Sequence, residues 1–256
     1  MRVACIQLEL TDEPKSATVA RVEACLDETR GCDLVLLPEL WPCGYFAFDR
    51  YEAEAEAIDG PLMGRLAKKA AQLGAYLLTG SFVERDGQRL YNTCVLLDRK
   101  GQQVARYRKQ HLFGYRSQES LLLSPGSETV VALSAWGPIG LSICYDLRFP
   151  ELYRRMIDQQ ARIMLVTASW PAARHEAWNT LCRARAIENL AIVIACNAAG
   201  SSAGARLAGN SMAVGPMGEL LAQADEGGCI LQFEVDPTEV ERARNDFPAL
   251  NDRKLR

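Results

Sequence analysis

The chain has 256 residues, of which 48% are hydrophobic, 24% charged and 7% aromatic, and its formal net charge is −3. This length supports a substantial core, in one large α/β domain or two small ones. A mild charge without long basic or acidic blocks argues against nucleic acid or an anionic membrane surface as partner, and no apolar run is long enough to span a bilayer.

In chain order, Val3–Leu8 alternates weakly and predicts a strand. Val19, Val22 and Leu26 fall at helical spacing within Ala17–Thr29. Asp33–Glu39 is a short apolar strand that ends at Pro38. Trp41–Tyr51 predicts an irregular aromatic loop, broken by Pro42 and Gly44. Pro61 stands in the first turn of a helix over Leu62–Leu73. Strands follow at Ala75–Glu84, Leu90–Asp98 and Gln103–Tyr107, with turns at Asp86-Gly87 and Arg99-Lys100-Gly101. This consecutive hairpin pattern predicts antiparallel or mixed pairing.

Residues 109–127 carry no period and predict a long loop, a feature that is usually functional inside a compact domain. Next come strands at Thr129–Leu133 and Ile139–Ile143, a helix over 150–159 and a strand at Ile163–Thr167. A long helix covers Ala173–Asn189, and a strand follows at Ala191–Asn197. After Gly/Ser-rich loops, strands are expected at Ser211–Val214, near Leu220–Gln223 and at Cys229–Val235. Pro237–Asn245 predicts a closing helix, and the last ten residues a polar tail. No repeat, low-complexity segment or linker divides the chain, so a single domain over 1–256 is expected. The elements suit an α/β fold with two sheets face to face and helices outside.

Nine cysteines are scattered without a Cys-x-x-Cys pair, and there are two histidines, His111 and His175. A zinc site needs a tighter cluster. The set reads as reduced thiols in a cytoplasmic protein, in keeping with an amino terminus that runs directly into a strand.

Three stretches carry chemistry. Cys144 ends an apolar strand just before the helix opened by Pro150-Glu151. A thiol at such a turn meets outward-pointing backbone N–H groups that stabilise a thiolate or an oxyanion. Glu39 ends another apolar strand, where partial desolvation raises its pKa toward that of a base for a thiol. Lys109 stands where a strand meets the long loop and offers a fixed positive charge to a thiolate or oxyanion. Each residue also has a plain structural reading, as a small core side chain or a solvated charge. His111 is the rival base, although a histidine placed this way is more often structural.

Taken together, Leu37-Pro38-Glu39, Tyr107-Arg108-Lys109-x-His111-Leu112-Phe113 and Cys144-Tyr145-Asp146-Leu147-Arg148-Phe149-Pro150-Glu151 resemble the nitrilase superfamily, the carbon–nitrogen hydrolases. The segments around Glu119, Trp178–Asn189 and Asn210–Glu219 extend the resemblance over nearly the whole chain. It implies a four-layer αββα sandwich that forms a homodimer. It also implies Glu39 as general base, Cys144 as nucleophile and Lys109 as oxyanion stabiliser with the Tyr145 N–H. Glu119 would orient Lys109 or the incoming water. No metal or organic cofactor is implied.

Cys144–Pro150, Ser169-Trp170-Pro171 and the short chain look most like the ω-amidase-like branch, whose members hydrolyse the terminal amide of 2-oxoglutaramate or succinamate. One departure is Ala177-Trp178, where many relatives have His-Trp. Tyr45, Tyr115, Tyr145, Arg148 and Trp170 are the expected substrate-binding residues, with core aromatic packing and a structural Arg148 as alternatives. Hydrolysis of N-carbamoyl amines or amino acids, and a catalytically idle binding scaffold, remain alternative functions.

Overall fold

The computed structural model describes residues 1–254. The chain opens with β1 (Arg2–Gln7), β2 (Glu9–Leu10), α1 (Lys15–Asp27) and β3 (Leu34–Leu36). After a 3-10 turn come α2 (Tyr51–Glu54), α3 (Pro61–Leu73), β4 (Tyr76–Asp86), β5 (Arg89–Leu97) and β6 (Gln103–Arg108). The middle holds α4 (Glu119–Leu122), β7 (Val131–Ser134), β8 (Gly137–Ile143), α5 (Pro150–Asp158), β9 (Ile163–Ala168) and α6 (His175–Asn189). β10 (Ile192–Asn197), β11 (Ala199–Ser202), β12 (Ala205–Arg206), β13 (Met212–Val214), β14 (Leu220–Gln223), β15 (Cys229–Glu234) and α7 (Glu239–Asp246) follow.

Two six-stranded mixed sheets form, in the orders β15-β1-β3-β4-β5-β6 and β14-β13-β10-β9-β8-β7. The sequence alternation of β1 explains the layering. Val3 and Cys5 point into the core shared with Ile139, Leu141 and Ile143 of the opposite sheet. Ala4 and Ile6 point the other way, against Val19, Val22 and Leu26 of α1 and Leu62, Leu66 and Ala70 of α3. On the far side, Leu152 and Met156 of α5 and Trp178 and Cys182 of α6 cover the second sheet. The result is an αββα sandwich. Both faces of each central strand are buried, so β3 and β9 read as continuous apolar runs. Truncating one such residue, Leu36 to Ala, removes packing worth about 2–5 kcal/mol.

Three features differ from the sequence expectation. β2, β11 and β12 form a small third sheet in place of part of the Gly/Ser-rich loops. The stretch 109–127 includes the helical turn α4, which begins at Glu119. The polar tail contains a 3-10 turn over Ala249–Asp252; its last two residues lie outside the described range.

Candidate active site

Glu39, Lys109 and Cys144 all follow the carboxyl ends of strands, β3, β6 and β8, on both sides of the sheet-to-sheet interface. A bulge in β4, where its register with β5 shifts between Leu78 and Ser81, holds the turn that carries Glu39. Ser81 donates its N–H to Pro38 O at 3.1 Å, and the Leu40 N–H reaches Ser81 Oγ at 2.9 Å. Gly80 is required there: its φ is +65°, and a Cβ would fall 2.1 Å from Pro38 O. The opposite sheet holds the same turn from the other side. Ser169 Oγ donates to Glu39 O at 2.7 Å, and the Ser169 N–H to Glu39 Oε2 at 2.9 Å.

Cys144 has a φ of +48°, in the left-handed region that disfavours any side chain. The strain of such a residue, about 1–3 kcal/mol, persists only where its surroundings over-determine it. Asp146 supplies that constraint. Its carboxylate accepts the Ile143 N–H at 3.0 Å, the Tyr107 hydroxyl at 2.7 Å and the His111 N–H at 3.0 Å. His111 Nδ1 also lies 2.7 Å from Asp146 Oδ1, and its ring stacks on Phe149 at 3.8 Å. His111 therefore braces the Cys144 turn, as its structural reading anticipated.

Lys109 Nζ lies 2.7 Å from Glu39 Oε1 and 2.9 and 3.0 Å from the two Glu119 oxygens. All three side chains are fully buried. Burial works against the ammonium, but Glu119 and Glu39 outweigh it and hold Lys109 well above its ordinary value. Burial pushes Glu39 up; Lys109 opposes this and Glu119 reinforces it. Burial also pushes the Cys144 thiol well up, followed by the Glu39 charge, with Lys109 opposing. Sulfur, carboxylate and ammonium thus act on one another.

Glu119 also receives the Phe113 N–H at 2.7 Å and the Tyr45 hydroxyl at 3.0 Å. Asn92 Nδ2 bridges the carboxylates, 2.9 Å from both Glu39 Oε1 and Glu119 Oε1.

Cys144 opens onto a narrow hollow lined by Tyr45, Phe113, Tyr145, Arg148, Trp170 and Arg174, among others. Tyr45 lines the hollow, and its hydroxyl is committed to Glu119 and Ser117. Tyr115 does not reach it: the side chain is 61% exposed and packs with the Arg116 guanidinium. Tyr115, expected among the substrate-binding residues, is turned to solvent by its loop. Arg148 lies 5.0 Å from the Trp170 ring and Arg174 lies 5.2 Å from the Phe113 ring. Neither guanidinium has a carboxylate partner among the described residues. No group of three or more His, Cys, Asp and Glu side chains is placed to hold a metal among the described residues.

The family model for carbon-nitrogen hydrolases matches residues 2–245. The chain belongs to the carbon–nitrogen hydrolase family. It is 35% identical to a 2-oxoglutaramate amidase of Paenarthrobacter nicotinovorans, over 98% of this chain and 89% of that one. It is also 35% identical to a 2-oxoglutaramate amidase of Bacillus subtilis, over 98% and 96% of the two chains. A solved carbon–nitrogen hydrolase superfamily protein from Xanthomonas campestris, which carries an arsenic adduct in its active site, superposes with a TM-score of 0.94 at 30% identity. That match covers 100% of this chain and 98% of the other.

Within this carbon–nitrogen hydrolase, sequence reasoning missed Asn92 and Arg174. Asn92 is a lone amide in the apolar strand β5, and only strand pairing shows that it faces two carboxylates. Arg174 follows Trp170 by one turn, and its approach to Phe113 depends on the fold.

Proposed function

We propose that this carbon–nitrogen hydrolase is an ω-amidase-type enzyme that releases ammonia from the terminal amide of small linear ω-amides of the 2-oxoglutaramate class. The observation that carries the reading is the meeting of Cys144, Glu39 and Lys109 behind a hollow lined by two guanidinium groups without a carboxylate partner among the described residues. A buried thiol, base and cation suit acyl transfer. Unpaired arginines suit a substrate with a carboxylate at the end remote from its amide.

In the proposed cycle, Glu39 takes the Cys144 proton as sulfur bonds to the amide carbon. The carbonyl oxygen becomes an oxyanion, held by Lys109 and the Tyr145 N–H. Lys109 can turn to it the N–H that otherwise meets Glu119 Oε2 at 3.0 Å, because that oxygen keeps Tyr45 and Phe113 as donors. The C–N bond breaks, the Glu39 proton passes to the leaving nitrogen, and ammonia departs from a thioester. Glu39 then deprotonates water, hydroxide adds to the thioester carbon, the C–S bond breaks to release the acid, and Glu39 returns its proton to the sulfur. Five contacts crowd Glu119, which leaves no room for an incoming water. Glu119 is therefore the residue that orients Lys109. The same reading takes the protein as a cytoplasmic homodimer, a state that light scattering on the purified chain tests.

The test is ammonia release from 2-oxoglutaramate and succinamate, beside the neutral amide butyramide and an N-carbamoyl amino acid. The carboxylated ω-amides should be hydrolysed with the highest kcat/KM. Preference for the carbamoyl compound, with carbon dioxide released alongside ammonia, moves the assignment to a carbamoylase. Release from none of them favours the idle scaffold.

A further inference from the structure

We infer that Asn92 is a positioning residue that directs the catalytic proton to one chosen oxygen of Glu39. The inference rests on the hydrolase reading above. A carboxylate offers about four lone-pair sites, two on each oxygen. On Glu39, Oε1 accepts from Lys109 Nζ at 2.7 Å and from Asn92 Nδ2 at 2.9 Å. Among the described residues, Oε2 accepts a single hydrogen bond, the Ser169 N–H at 2.9 Å. Both sites on Oε1 are filled and one on Oε2 is open. The proton taken from Cys144 therefore goes to Oε2.

The state of Asn92 itself supports a role beyond packing. It is fully buried, yet its Oδ1 has no hydrogen-bond partner among the described residues. Buried carbonyl groups are nearly always satisfied, and an orphan works against stability. The orientation is nonetheless determined. Turning the amide over would point its oxygen at the oxygens of Glu39 and Glu119, with both donors turned away. The side chain is held by its nitrogen alone, on the two carboxylates that flank Lys109. Without Asn92, Oε1 gains an open site, and a proton resting there is turned away from the acceptor position opposite Ser169. The ionised carboxylate also loses a hydrogen bond, which raises its pKa further.

The test compares wild type with Asn92→Ala and the isosteric Asn92→Asp, each checked for folding by circular dichroism and thermal melting. Two pH profiles are measured for each: kcat/KM with succinamate, and the rate of iodoacetamide alkylation of Cys144 resolved by peptide mass. In the variants, kcat should fall at least about 10-fold with KM within about 3-fold. The acid limb of both profiles should move to higher pH, further for Asp, which adds a negative charge. A folded variant whose acid limb stays at the wild-type pH overturns the inference, even if activity falls. Should Asn92→Ala not fold, Asn92→Asp is read by the same criterion. Wild type without amidase activity would sink the hydrolase reading instead, and the alkylation profile would still decide the role of Asn92.

Discussion

Lys109 Nζ stands 2.7 Å from Glu39 Oε1, and neither side chain has any surface open to solvent. The pair joins β6 to the turn after β3 and is shared with Glu119. It is thus a structural joint as well as part of the proposed catalytic group.

Removing the cation from that joint should be costly. Lys109→Met leaves two carboxylates buried without a counter-charge, a change that typically costs about 3–5 kcal/mol. Urea denaturation at neutral pH should show a loss of that size, together with loss of activity. Lys109→Arg should not restore activity, because its planar fork cannot meet three oxygens arranged around one nitrogen. A midpoint unchanged in Lys109→Met would show that the joint carries no such weight.

The pH dependence follows from Glu39. As the proposed base it must be ionised, and burial raises its pKa. The acid limb of kcat/KM should therefore lie above the ordinary glutamate value of about 4.3. For stability the sign is the reverse. A raised folded-state pKa means that the fold holds the proton more tightly than the unfolded chain does. That contribution is full below the ordinary value and is lost as pH rises through the raised one. Glu39→Gln, which mimics the protonated form, should gain stability relative to wild type across this window while losing activity. Denaturation curves whose difference does not change with pH would contradict the assignment.

The backbone at Cys144 offers a test independent of substrate. With φ at +48°, the position suits glycine better than alanine by roughly 1–2 kcal/mol, the reverse of the usual order in regular structure. Cys144→Gly should melt above Cys144→Ala, with both inactive. The usual order would mean that the turn relaxes and that Asp146 does not hold it.

At the mouth of the hollow, Arg174→Met should raise KM for succinamate by about 10- to 100-fold, the worth of a charge-assisted hydrogen bond. KM for butyramide should stay nearly constant. Equal effects on both amides would place Arg174 in loop packing instead.

The parts of this molecule that were legible in sequence are those where neighbouring residues cause the structure. Apolar alternation and helical spacing placed the main strands and helices, and Pro61 marked its helix start. Glu39, Lys109 and Cys144 stood out because each carries a reactive or charged group at the end of a predicted strand. Features made by distant pairing did not stand out. The small sheet of β2, β11 and β12 joins residues nearly two hundred positions apart. Asn92 gains meaning only from Glu39 and Glu119 across the fold, and Tyr115 lost its expected place because a loop's direction is not written in its composition.

The most direct measurement is rapid-quench peptide mass spectrometry during turnover of succinamate, run beside Cys144→Ala. The expected result is a transient acyl adduct on the peptide that contains Cys144, formed as ammonia is released and absent from the inactive variant. Sustained ammonia release with Cys144 unmodified at every time point, and retained by Cys144→Ala, would contradict the proposed chemistry.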